Sequence, residues 1–178
     1  AGAEGLPGGF SQSRSPCEND LKLSTRWRDP AFKRVLKKLP YGTQLKLDAP
    51  YGSFTLHTNS AIPAVFLTGG IGITPARSML VEATKETLSR RILLFYSNHA
   101  PEDTAFLEEL RSVAAKNPQV TLVATMTEME HSHDKWTGET GYVTMSMLDR
   151  YIKDLTVPIY YCSGHATIVS AMRKLLTG

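Results

Sequence analysis

The rhythm of hydrophobic and polar positions changes once along this chain, near Ile62 and Pro63. Before that point the apolar residues come in short alternating runs. Leu21, Leu23 and Thr25 alternate with Lys22, Ser24 and Arg26, and Leu45 and Leu47 with Lys46 and Asp48. This period of two predicts half-exposed strands, and 53–57 reads as a third. Asp29 and Pro30 predict the cap and first residue of a short helix between them. Its Ala31, Phe32, Val35, Leu36 and Leu39 form one face, and Lys33, Arg34, Lys37 and Lys38 the other. After Pro63, continuous apolar runs alternate with segments of helical period. Strands are predicted over 65–68, 92–96, 120–125 and 159–161, and helices over 75–87, 102–116, 144–151 and 165–176. Apolar strands that alternate with helices imply an α/β fold with a parallel sheet and right-handed crossovers. Ligands of such sheets sit at the carboxyl ends of the strands. The loops 69–74, 97–101, 126–141 and 162–165 therefore converge on one rim.

The stretch Phe66-Leu67-Thr68-Gly69-Gly70-Ile71-Gly72-Ile73-Thr74-Pro75 carries the chemistry. A buried strand runs through glycines into a helix start, with Thr74 expected as N-cap and Pro75 as first helical residue. Glycines let the backbone turn and approach a ligand, and a helix N-terminus offers free N–H groups and a positive dipole end. The stretch reads as a dinucleotide pyrophosphate site or as a tight turn that binds nothing. It departs from G-x-G-x-x-G, because Thr-Pro stands where the last glycine would come.

Composition narrows the class. The 178 residues are 42 % hydrophobic and 21 % charged, as in ordinary globular proteins. No apolar run reaches the roughly 18 residues of a membrane span. Two cysteines, Cys17 and Cys162, make neither a disulfide framework nor a metal pair, and a cytoplasmic protein is expected. His131, His133 and Asp134 lack a distant fourth ligand, so no metal site is expected. The net charge of +3 conceals an uneven distribution: nine Lys/Arg against three Asp/Glu lie between Arg14 and Lys46, and the remainder is acidic. That basic segment has no interleaved aromatic motif, and no nucleic-acid partner is expected.

Several motifs, in order, resemble the ferredoxin/flavodoxin–NAD(P)H reductase superfamily. Gly69-Gly70-Ile71-Gly72-Ile73-Thr74-Pro75 is similar to its pyridine-nucleotide loop. Tyr96-Ser97-Asn98 with Pro101-Glu102-Asp103, Trp136-Thr137-Gly138 with Thr140-Gly141-Tyr142-Val143-Thr144, and Tyr160-Tyr161-Cys162-Ser163-Gly164 resemble later segments, the last its Cys-Gly signature. Ala49-Pro50-Tyr51-Gly52-Ser53-Phe54 resembles the end of its flavin barrel. The resemblance implies a partial antiparallel flavin-barrel segment over 1–60 and a doubly wound, parallel NAD(P)-binding α/β domain over 61–178. The implied activity is hydride passage from NAD(P)H to FAD, then electron transfer to a ferredoxin, a flavodoxin or an associated redox module. For NAD(P)H it implies Gly69, Gly70, Ile71, Gly72, Ile73, Thr74 and Pro75 around the pyrophosphate, Ser97, Asn98 and His99 at the adenosine ribose, and Cys162 and Gly164 at the nicotinamide. Cys162 and Thr74 are the implied catalytic positions. For FAD it implies Phe10 and Ser11 at the flavin ring and Tyr51, Gly52 and Ser53 near its phosphates. Three departures stand out. Gly8 replaces the flavin motif's arginine, His165 replaces a proline, and the chain resembles a reductase trimmed at both ends. A flavin-less NAD(P)-binding domain, acting as a binder or as part of an assembly, is the alternative.

Overall fold

The computed structural model describes residues 11–25, 31–46 and 52–178. Strands β1 (Ser11–Gln12) and β2 (Leu23–Ser24) pair antiparallel, Ser11 opposite Ser24 and Gln12 opposite Leu23. Helix α1 (Ala31–Lys38) follows. The Asp29 cap and Pro30 start lie outside the described residues. The second predicted strand is not formed at 44–46, and its later positions also lie outside them.

The predicted strand at 53–57 is not formed either. Its N–H groups go elsewhere: Thr55 N donates to Ser53 O at 2.9 Å, and His57 N donates to the Tyr161 hydroxyl at 2.8 Å. The Tyr161 hydroxyl in turn donates to His57 Nδ1 at 2.7 Å, and Nε2 donates to Ile62 O at 3.0 Å. A side-chain clamp, not a ladder, holds this segment against the sheet, so alternation alone misreads it.

The α/β part follows the expected alternation of strand and helix with one strand more, because Glu139–Thr140, expected inside a loop, pairs onto the sheet edge. β3 (Ala64–Gly69), β4 (Ile92–Asn98), β5 (Val120–Met126), β6 (Glu139–Thr140) and β7 (Ile159–Ser163) form one parallel sheet in the order β6-β5-β4-β3-β7. Every residue of β3 is buried, which is why it reads as an unbroken apolar run. Each fully buried large side chain there contributes about 2 kcal/mol of transfer free energy. The helices are α2 (Ile73–Lys85), α3 (Leu107–Lys116), α4 (Met145–Tyr151) and α5 (Ala166–Thr177). One apolar layer joins Phe66, Tyr96 and Tyr161 to Ile73, Leu80 and Leu110; the other joins Val65, Leu67 and Phe95 to Leu148 and Met172.

The predicted helix over 102–116 is interrupted. A 3-10 turn at Pro101–Asp103 is followed by Phe106 at φ 61, and only then does α3 begin. The left-handed residue swings the Phe106 ring beneath the Arg77 guanidinium, 5.6 Å from its centroid.

Residues 13–18 lie against α2. Ser78 Oγ donates to Arg14 O at 2.5 Å and Lys85 Nζ to Cys17 O at 2.9 Å. The centre of this contact is Arg77, only 2 % exposed. It donates to Ser13 O at 2.6 Å, pairs with Glu18 at 2.5 and 2.9 Å, and reaches Glu109 through Nε at 3.1 Å and through Nη2. The guanidinium holds the Glu18 carboxyl well below the usual carboxylate range.

Candidate functional site

Chain order fixes where the site lies. From β3 the chain moves through β4, β5 and β6 on one side, then returns to place β7 on the other. The crevice of such a sheet opens where the direction reverses, at the carboxyl ends of β3 and β7. Two loops meet there. After Gly69 the chain makes one 3-10 turn, Gly70–Gly72, and enters α2 at Ile73. After Ser163 it turns through Gly164, at φ 152, into α5.

Two glycines of the first loop have different reasons. A Cβ on Gly72 would lie 2.4 Å from Gly164 Cα and N, so this position is fixed by backbone packed on backbone. The same contact is closed by Ser163 Oγ, which donates to Gly72 O at 2.8 Å. Gly70 adopts φ 53 with nothing within 4 Å of a Cβ, so it is the glycine that faces open space. Beneath it the buried Tyr96 hydroxyl lies 3.2 Å from Gly70 O and 3.1 Å from Ala105 O, able to donate to either, and burial pushes its phenol up.

Thr74 is not the N-cap. The 3-10 turn begins winding early, Gly72 takes the cap position without a side-chain bond, and Thr74 becomes the second helical residue. Pro75 is consequently the third rather than the first. Thr74 is 0 % exposed, and its Oγ1 has no hydrogen-bond partner. The start of α2 therefore has no side-chain cap and no acidic residue in its first turn. Ile73 N–H donates back to Gly70 O and Pro75 has no N–H, so this helix end offers an anion its positive dipole end rather than a full set of free donors.

The second pair of loops follows β4 and β5. Thr127 N donates to Asn98 O and Glu128 N to His99 O, both at 2.9 Å. Ser97 is partly buried, and Asn98 Nδ2 is buried without a partner. His99 is half-exposed, with Nδ1 2.8 Å from Glu128 Oε1. The sequence reading places no carboxylate at this rim; the signal it offers is Glu128, three residues past the predicted strand end at 125.

Cys162 sits on β7 opposite Leu67 and packs with the second apolar layer, alongside Ile168 and Leu175. Burial pushes its thiol up, opposed by Arg173. The residue that closes onto the glycine loop is its neighbour Ser163. Strand alternation supplies the reason, since successive side chains point to opposite faces. Gly164 belongs to the same loop contact. The flavin set is not brought together among the described residues. Phe10 and Tyr51 lie outside them, as does the side chain of Ser11 in β1. Gly52 and Ser53 are exposed.

The oxidoreductase NAD-binding domain profile matches residues 66–174.

The chain belongs to the oxidoreductase NAD-binding domain family.

The NAD-binding domain and the residues before it are similar to ferredoxin–NADP reductase B of Sorangium cellulosum, 27 % identical over 97 % of this chain and 75 % of that protein. They are also similar to the glycine betaine monooxygenase reductase subunit of Chromohalobacter salexigens, 25 % identical over 79 % of this chain but only 38 % of that protein. The chain thus spans well under half of some curated relatives. Among solved structures, the FAD/NAD-binding domain of a Vibrio cholerae nitric oxide dioxygenase superimposes with a TM-score of 0.78 at 17 % identity, over 94 % of this chain and 69 % of that one. A Neisseria gonorrhoeae ferredoxin–NADP reductase with bound FAD and NADP gives 0.73 at 17 % identity, over 94 % and 70 %. The expected ferredoxin-reductase relationship and the α/β fold are borne out. No helix among the described residues is long and apolar enough to cross a membrane.

Proposed function

We propose that this chain binds NAD(P)H through the α2 N-terminus and serves as the pyridine-nucleotide half of a flavin-dependent electron-transfer reductase. The supporting observation is the start of α2: an uncapped helix end, behind an open Gly70, at the reversal point of the sheet. The N–H groups of 70–72 and the dipole end of α2 hold the pyrophosphate, with Gly69, Ile71, Ile73, Thr74 and Pro75 shaping the turn. The orphaned Thr74 hydroxyl marks where a polar ligand group is expected. Ser163 fixes the Gly72 carbonyl and so the shape of the cradle. Gly164 keeps the β7 end low enough for a planar ring. Cys162, packed among apolar side chains, shapes the floor beside the nicotinamide and takes no proton.

Ser97, Asn98 and His99 receive the adenosine ribose. Glu128, 2.8 Å from His99, suits a ribose 2′-hydroxyl and repels a 2′-phosphate, so the reading favours NADH over NADPH. When bound, the dinucleotide supplies a hydride. This chain's share is to hold it in alignment and to limit water. FAD as hydride acceptor, a division at about residue 60, and onward transfer to a ferredoxin, a flavodoxin or an associated redox module belong to the same proposal. The names of the reductase relatives support them. No flavin contact is assigned to Gly52 or Ser53.

Calorimetric titration tests the reading. NADH is expected to bind at least about tenfold more tightly than NADPH, and Glu128→Gln to narrow that ratio. Absence of binding by either dinucleotide would overturn the proposal.

A further inference from the structure

Tyr96, on β4, carries its one polar group into the space beneath the glycine loop. The side chain is 0 % exposed, so its hydroxyl must find acceptors inside the protein. Two carbonyls take it, Gly70 O at 3.2 Å and Ala105 O at 3.1 Å. The near-equal distances suit one proton shared between both, as in a three-centre bond. The hydroxyl thereby ties the glycine loop to the segment that precedes α3.

The Gly70 carbonyl is held from a second side, because Ile73 N–H donates to it and closes the 3-10 turn. A peptide group is planar and trans, so its C=O and its N–H point in opposite directions. With Gly70 O drawn inward by Tyr96 and Ile73, the N–H of the same peptide, that of Ile71, is aimed away from the core. Lying in the first turn of a helical segment, that N–H has no intrahelical acceptor. Gly70 is the hinge about which this peptide would otherwise turn over, since it takes φ 53 and a Cβ there would meet nothing within 4 Å.

We propose that Tyr96 is a positioning residue for the dinucleotide: its hydroxyl pins the Gly70–Ile71 peptide so that Ile71 N–H is presented to the pyrophosphate. The role presupposes the dinucleotide site at this loop and gives Tyr96 no contact with the ligand. Ser163 Oγ, which donates to Gly72 O at 2.8 Å, is the matching device. Two glycine carbonyls of one turn are thus each anchored by a hydroxyl from a neighbouring strand, β4 for Gly70 and β7 for Gly72.

Calorimetry with NADH and amide spectra of the whole chain, unaltered and as Tyr96→Phe, test the role. The variant removes the hydroxyl and keeps the ring. In the unaltered chain the Ile71 amide is expected to move downfield on saturation with NADH and to become protected from exchange. Tyr96→Phe is expected to weaken NADH binding about tenfold, the order of one hydrogen bond to a charged acceptor, and to abolish the Ile71 shift at saturating NADH. Undiminished NADH affinity in the variant would overturn the role. So would weaker binding with the full Ile71 shift at saturation, since Tyr96 would then only support the fold. An Ile71 amide that ignores NADH in the unaltered chain overturns it without any variant, which decides the matter should Tyr96→Phe not fold. In each of these outcomes the unaltered chain still binds NADH and the dinucleotide reading stands. That reading falls, and the role of Tyr96 with it, only if the unaltered chain binds neither dinucleotide.

Discussion

At the scale of single residues, two contacts carry consequences out of proportion to their size. Gly72 is held against the Gly164 backbone with no room for a methyl group. Gly72→Ala is therefore expected to push the two loops apart and weaken NADH affinity by about tenfold or more, read by calorimetry, while Gly70→Ala is limited mainly by its positive φ. Arg77 is the other. Arg77→Met leaves Glu18 and Glu109 facing each other without their cation, and the expected loss is about 3 kcal/mol in denaturant unfolding. The sequence placed Arg77 on α2 but could not show its role. Its partners are 59 and 32 residues away, and no local spacing encodes a contact of that range.

Among elements, the docking of residues 13–18 on α2 is electrostatic, and so depends on pH. Glu18 has its pKa depressed, chiefly by the Arg77 hydrogen bond. A group with a depressed folded-state pKa adds stability above its unfolded value, near 4.5, and that stability is lost as pH falls toward the folded value. Acid titration below about pH 4.5 is expected to release this segment from α2, seen as a rise in amide hydrogen exchange over 13–18 before the sheet unfolds. Glu18→Gln is expected to shrink the pH dependence. Element identity was legible at β3 and β4, where burial is complete or nearly so and no polar face confuses the pattern, and at β7 from its short apolar run although only Tyr161 is buried there. It failed at 53–57, where alternation was present but the backbone donors found a tyrosine and a turn instead of a partner strand. It also failed at 102–116, where a helical pattern concealed the left-handed Phe106. The apolar spacing there is compatible with a continuous helix, and only packing against Arg77 selects the break.

For the whole molecule, the parallel sheet and the rim where its loops converge follow from the alternation of apolar strands and amphipathic helices. Residue order alone specified that much, along with the glycine turn, because these rest on apolar patterning and on backbone freedom, which are local properties of residue type; the family was legible separately, through the ordered motifs that resemble it. It also named Ser97, Asn98 and His99 for the second loop. Tertiary structure decided which side chain closes the crevice: Ser163 rather than Cys162, since the pleat turns only one of two neighbours toward the glycine loop. It decided that Thr74 lies inside α2 and that Glu128 stands beside His99. Each of these depends on where distant segments come to rest, and a side chain's partners are set by that meeting rather than by its neighbours in the chain.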